Sequence, residues 1–431
     1  MSDKILNDLV NESFRTKHRK TEFIPGQSTI AVTGKYFDQL EIKAAVEACL
    51  DFKITAGPRT LQFEKSLGKR VGVKKCHMVN SGSSANLLAV TALTSPKLGE
   101  RSLKPGDEVL TVAAGFPTTV SPIIQNQLVP VYVDVDLGTY VANSNALEEA
   151  IGPKTRAIMM AHTLGNPFDL NLIRRLTDKY NLWLIEDTCD ALGGTFDNQN
   201  LGTFGDFATL SFYPAHHITT GEGGAVLVKS IAHSPIIESI RDWGRDCWCP
   251  TGCENTCHKR FEWKLGELPE GYDHKYIYSH LGYNLKSSDI QAAIGIAQLS
   301  RLDFFIQQRR KNWAYLAEGL LDLTDHLLLP VPTPGSNPSW FGFALTLLNP
   351  DFKSRNELIS FLDQRKIGTR LLFGGNLLKQ PAFIATKRRI HGSLKNTDYV
   401  MHNTFWVGIW PGISNKMLDY MIESFHDFYR T

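Results

Sequence analysis

The sequence predicts an α/β protein: a mostly parallel sheet between helices, followed by a smaller α+β C-terminal domain. Three observations carry this reading. Short, almost wholly apolar runs recur between residues 107 and 229, and helical stretches lie between several of them. Strands apolar on both faces, joined by helical crossovers, mark a parallel sheet covered on both sides. A Pro/Gly/Ser-rich junction, LPVPTPGSNPS from Leu329, separates these runs from a second group of helix and strand patterns. The 431 residues, 42% hydrophobic and 21% charged, suffice for a sizeable core.

In chain order, residues 1–34 read as a polar helical arm. Its basic run Lys17, His18, Arg19, Lys20 reads as a solvated face. A large domain follows over 35–328. It opens with helical patterns in QLEIKAAVEACLDF, from Gln39, and GPRTLQFEKSLGKRVGV. The expected strands are DEVLTVA from Asp107, VPVYVDV from Val129, RAIMMAHTL from Arg156, LWLIEDTC from Leu182, ATLSFY from Ala208 and AVLVK from Ala225. LNLIRRLTDKYN, from Leu170, is a crossover helix. Residues 241–278 break the pattern. They are aromatic, charged and Gly/Pro-rich, and read as a long ordered insertion. One long helical run resumes near Ser288, capped by Ser287, Ser288 or Asp289. The small C-terminal domain spans 329–431, with FGFALTLL and a helix from about Ser354.

Composition excludes some classes. A net charge of +2 gives no global attraction to nucleic acid or an anionic membrane. The N-terminus has no apolar signal region, and no run approaches the ~20 apolar residues of a membrane span. A cytoplasmic enzyme is expected. Of seven cysteines, Cys49 and Cys76 are expected as buried packing, whereas Cys247, Cys249, Cys253 and Cys257 fall together. In a reducing compartment such a cluster points to metal rather than disulfides.

Several stretches carry chemistry, each with a plainer reading beside it. In NSGSSANLLAVTAL, from Asn80, small residues precede an apolar helix. Free N–H groups and hydroxyls there suit a phosphate; a Ser-rich helix cap looks the same. In LIEDTCDALGG, Glu186, Asp187 and Asp190 follow an apolar strand. A carboxylate there would keep a pyridine nitrogen protonated, or the acids form a helix cap. Phe116, in AAGFPTTV, stacks on a planar cofactor or joins the core. CWCPTGCENTC, from Cys247, has the spacing C-x-C-x₃-C-x₃-C, which suits a [2Fe–2S] centre or zinc; the plainer reading is four unconnected thiols. SFYPAHHITTGEGGAVLV, from Ser211, has the shape of a run that elsewhere holds an aldehyde cofactor on lysine. Here it has His216 and His217, and the next lysine is Lys229.

Together, SGSSANLLA, GFPTT, IEDTCDALG, GTFGDFATLSFYPAHHITTGEGG and GYNLKSSDIQAAIG resemble the sugar-aminotransferase branch of the fold-type I pyridoxal-phosphate enzymes, from about Gly34 to the end. The resemblance implies a seven-stranded sheet. Most members carry lysine where this chain has His216. The exchange is similar to that of the nucleotide-sugar 3-dehydrases, and IRDWGRDCWC and GYDHKYIYSHLGYN narrow it to those with an iron–sulfur centre. It implies pyridoxamine 5'-phosphate held non-covalently, with His216 as the base and His217 as the lesser candidate. It further implies Asp187 at the pyridine nitrogen, Asp190 near the ring hydroxyl and Phe116 on the ring. Gly82, Ser83 and Ser211 would hold the phosphate. Asn284 would reach the phosphate of a neighbouring subunit in a homodimer. The four cysteines would hold [2Fe–2S], fed by an NADH-dependent flavin/iron–sulfur reductase, and the substrate would be a CDP-linked nucleotide sugar. Two rivals are a cluster-free 3-dehydratase that regenerates its cofactor with glutamate, and a non-catalytic, zinc-containing nucleotide-sugar-binding homologue. Arg370 reads equally as a substrate contact or a surface arginine.

Overall fold

The computed structural model describes residues 3–19, 21–249 and 253–430. All six expected strands form. They are β2 (Glu108–Val112), β3 (Val129–Val133), β4 (Thr155–Ala161), β5 (Trp183–Asp187), β6 (Phe207–Ser211) and β7 (Gly224–Val228). A further strand, β1 (Lys75–Val79), stands at the sheet edge. The order is β1-β7-β6-β5-β4-β2-β3, with the two-residue strand Arg389–Ile390 as an eighth beside β3. β7 alone runs against the others, pairing antiparallel with both β1 and β6.

Alternate residues of each strand enter different cores. Leu110, Val112, Val131, Ile158 and Leu184 pack on one face. Val109, Ala157, Met159, Trp183 and Ile185 pack on the other. This is why the strands read as continuous apolar runs. The helices begin where the sequence supplies caps. Asp38 accepts from Leu40 N–H and opens Gln39–Leu50, and Asp169 opens Leu170–Tyr180. The run from Ser288 is two helices rather than one, Asp289–Leu299 and Leu302–Gly319, with Ser288 as the first cap. Cys49 is exposed, contrary to expectation, because its helix buries Glu41 and Ala48 instead; Cys76 is buried.

A four-stranded antiparallel sheet follows, in the order Leu327–Leu328, Gly342–Leu347, Thr404–Gly408, Thr369–Leu371. The helices Arg355–Gln364 and Asn415–Arg430 supply Leu358, Leu362, Met421 and Phe425 to its core. The Pro/Gly-rich junction is anchored rather than free: Ser336–Asn337 pairs with Thr195–Phe196. At the other end, the arm contains the helix Asp3–Lys17. Lys17, His18 and Arg19 are exposed, and Lys20 lies outside the described residues. Among the described residues no helix is long and apolar enough to cross a membrane.

Candidate active site and cysteine cluster

The candidate site gathers at the carboxyl ends of the parallel strands, where open α/β sheets place their ligands. β1 leads into Ser81, whose Oγ accepts from Ser84 N–H (3.0 Å) and caps the helix Gly82–Leu93. Gly82 lies hard against β6: a Cβ there would stand 2.5 Å from Ser211 Cβ. Only glycine lets this helix N-terminus and Ser211 meet. Ser83 Oγ donates to Thr118 Oγ1 (3.1 Å). Phe116, after β2, is 50% exposed and so is not core; its ring meets Phe373 edge-on at 6.1 Å.

The three acids after β5 separate by environment. Glu186 is fully buried and accepts the N–H groups of Gly202, Phe204 and Gly205, at 2.7–3.0 Å, and His162 Nε2 at 3.0 Å. It holds the backbone together. Asp187 takes Asn86 Nδ2 and Thr119 Oγ1 on Oδ2, both at 2.8 Å, and Cys189 N–H on Oδ1 at 3.2 Å. Asn86 is in turn fixed by Thr209 Oγ1 (2.6 Å). Asp190 Oδ1 stands 3.4 Å from His216 Nδ1. Burial pushes the Asp190 carboxyl up, and His216 opposes the shift.

The two histidines also separate. His217 is buried and bonds the Ser339 carbonyl through Nε2 at 2.8 Å, which makes Nε2 its protonated nitrogen. Burial, then Arg309, hold its pKa well below the usual histidine value. The His216 side chain keeps 15% exposure, faces Asp190 through Nδ1 and packs on Phe341 at 5.1 Å. Nδ1 is buried and makes no hydrogen bond among the described residues, so its contact with Asp190 is electrostatic.

In the insertion, the structure assembles three of the four cysteines around a histidine that sequence reasoning did not single out. His274 is fully buried. Its Nε2 lies 3.3 Å from Cys247 Sγ, 4.0 Å from Cys249 Sγ and 3.7 Å from Cys257 Sγ. Cys247, Cys249 and His274 each offer a donor atom within 4.8 Å of the others. Cys253 is exposed and is not brought into the group; its carbonyl accepts from Lys275 Nζ. Burial pushes the Cys247 thiol up. It pushes Cys249 the same way, but hydrogen bonds involving Thr256, Cys257 and Cys247 outweigh it and bring Cys249 down to about 7. Three thiols and an imidazole are a donor set suited to zinc or an iron–sulfur centre.

Asn284 is exposed, and its backbone pairs with Asp242. Arg370 is exposed and donates to its neighbour's carbonyl, Thr369 O. Sequence reasoning also gave no role to Asn86, Thr119 or Arg309. Asn86 had a signal, a lone amide in an apolar helix; Arg309, in a run of cations, had none.

The fold is that of the fold-type I pyridoxal-phosphate-dependent transferases. More narrowly, the chain belongs to the DegT/DnrJ/EryC1/StrS aminotransferase family, which matches residues 37–426. It is 58% identical to the lipopolysaccharide biosynthesis protein RfbH of Salmonella typhimurium, over 94% of this chain and 93% of that protein. It is 53% identical to the dTDP-4-dehydro-2,6-dideoxy-D-glucose 3-dehydratase of Saccharopolyspora spinosa, over 98% of this chain and 92% of that one. Among solved structures, the Escherichia coli GDP-4-keto-6-deoxy-D-mannose-3-dehydratase with bound hydrated PLP superposes with a TM-score of 0.83. The identity is 30%, covering 91% of this chain and 98% of that one.

Proposed function

We propose that the chain removes the C3 hydroxyl of a CDP-linked 4-keto-6-deoxyhexose, CDP-4-keto-6-deoxy-D-glucose, in the making of a 3,6-dideoxy sugar. The carrying observation is His216: an imidazole backed by Asp190 stands where an aminotransferase would carry its lysine. Relatives named as nucleotide-sugar 3-dehydratases support the reaction class.

The residues fit pyridoxamine phosphate. Asp187, fixed by Asn86 and Thr119, is a buried anion suited to a pyridinium nitrogen. The half-exposed Phe116 offers a ring face, and Gly82, Ser83 and Ser211 offer a helix N-terminus and hydroxyls to the phosphate. When bound, the cofactor supplies an electron sink next to the sugar's C3–O bond. His216 would serve as the base for the proton the cofactor gives up at C4', with Asp190, 3.4 Å from Nδ1, stabilising the imidazolium. General-base catalysis of this kind is worth ~10²–10⁴-fold. Cys247, Cys249 and Cys257, with His274 beside them, would hold a [2Fe–2S] centre that delivers electrons singly. Overall, C3–OH becomes C3–H: one NADH and a proton are consumed, and water and NAD leave. A flavin/iron–sulfur reductase supplies the electrons, and Asn284 completes the site of a second subunit in a homodimer.

The test is turnover of anaerobically reconstituted protein with pyridoxamine phosphate, NADH and such a reductase. Supplied with CDP-, dTDP- and GDP-linked 4-keto-6-deoxy sugars, it should give a CDP product lighter by one oxygen. Preference for the dTDP sugar would move the nucleotide assignment toward the Saccharopolyspora relative. A product lacking the C3 oxygen but independent of NADH would sink the reductive half.

A further inference from the structure

Arg309 is among the largest fully buried side chains, with 1% exposure, and among the described residues none of its hydrogen bonds goes to a carboxylate. Its two terminal nitrogens are spent on four backbone carbonyls, while Nε is buried with no hydrogen-bond partner among the described residues. Nη2 donates to Ala215 O and His216 O, both at 3.3 Å. Nη1 donates to Trp340 O at 3.3 Å and Phe341 O at 3.2 Å. Burying a cation costs several kcal/mol unless its donors are satisfied. Burial lowers the Arg309 pKa to about 10, opposed by Asp190, so the group stays charged near neutrality.

What those carbonyls belong to is the point. Ala215 and His216 form the loop that presents the imidazole. Trp340 and Phe341 lead into the strand Gly342–Leu347 of the C-terminal sheet. Phe341 also donates its N–H to Leu164 O and packs its ring against both His216 (5.1 Å) and Trp406 (5.4 Å). The helix carrying Arg309, Leu302–Gly319, joins both units: Leu302, Phe305 and Ile306 pack in the core beside β6 and β7, and Leu316 packs in the C-terminal core. A planar fork with donors in fixed directions suits four carbonyls on two segments; a lysine, with three donors on a flexible stem, matches them less well.

We propose that Arg309 is the positioning residue for His216: it clamps the histidine's loop to the entry of the C-terminal sheet and so sets where Nε2 stands. This rests on His216 being the base. The clamp also couples the two sheets, because the segment that fixes the His216 loop is the one that begins the second sheet.

The experiment uses R309M and R309K in the full chain, alone and combined with H216K. In the wild-type background, R309M should lower kcat by about 10²-fold, the scale expected for a misplaced catalytic group. KM for the nucleotide sugar should hardly move, and R309K should recover part of the loss. In the H216K background the readout needs no turnover: borohydride fixes pyridoxal phosphate to an amine at position 216, and mass spectrometry follows the rate. Fixation should be slow in R309M/H216K, intermediate in R309K/H216K and fast in H216K. Equal kcat and equal fixation with and without Arg309 would overturn the clamp. If H216K itself fixes no cofactor, the cofactor reading falls instead. Crystal structures of the wild type and R309M then decide the clamp: a displaced 215–216 loop supports it, and an unmoved loop overturns it.

Discussion

His216 and His217 are neighbours in sequence and opposites in chemistry, and burial makes the difference. His217 spends its Nε2 hydrogen on the Ser339 carbonyl and is pushed toward its neutral form. His216 is part-exposed and has an acid at 3.4 Å. In the proposed reaction Asp190 is placed to stabilise the cation of His216. Asp190→Asn removes the anion but keeps the shape. Turnover should fall by about 10²-fold, toward the lower end of general-base effects, with little change in cofactor affinity. Because burial pushes the Asp190 carboxyl up, it protonates on the acid side at a pH where ordinary carboxylates are still charged. The wild type should then lose kcat more steeply toward acid than D190N. Parallel acid limbs in a pH–rate comparison would remove Asp190 from this role.

The insertion shows what spacing can and cannot reveal. Four cysteines within eleven residues pointed to a candidate metal site, yet the structure gathers Cys247, Cys249 and Cys257 about His274 and leaves Cys253 exposed. Nothing in the local run marks His274, which arrives from 17 residues beyond Cys257 through the fold of the loop. Cys257→Ser should strip the reconstituted protein of most of its metal, whereas Cys253→Ser should retain it. Iron, sulfide and zinc analysis checks this, and equal loss in both variants would restore Cys253 to the ligand set. The same limit applies elsewhere. β2 to β7 were legible because both of their faces are buried, giving unbroken apolar runs. β1 was not: as an edge strand it has one neighbour, and its KCHMV run carries a lysine and a histidine. The break at Ser300–Arg301 has neither Pro nor Gly to announce it. Asp187, Ser211 and Gly82 were readable as motif residues at strand and helix ends. Their supports, Asn86 and Thr119, come from other elements, and only folding brings them together.

At the scale of the whole molecule, buried neutral imidazoles tie stability to pH. His77, on the edge strand, bonds Ser234 Oγ at 2.9 Å, and burial, then Arg241 and Lys75, hold its pKa well below the usual value. His217 is held down by burial, then by Arg309. In the unfolded chain both would take up protons near pH ~6.5. Below that, the unfolded state binds more protons than the folded state, so unfolding becomes easier as pH falls. The sign is thus opposite to that of a histidine whose pKa is raised by an acidic partner. Stability from this source is fully present above ~6.5 and declines below it, by at most about 1.4 kcal/mol per pH unit for each histidine. Urea unfolding at a series of pH values from about 7.5 to about 5.5 should show that decline. H77Q, at a residue with no part in the proposed chemistry, should flatten the slope by up to one histidine's share and leave turnover intact. H217Q should flatten it by a similar share, but disturb the loop that Arg309 and Ser339 hold. If the slope in the double variant H77Q/H217Q equals that of the wild type, the two imidazoles are not the source of the acid sensitivity.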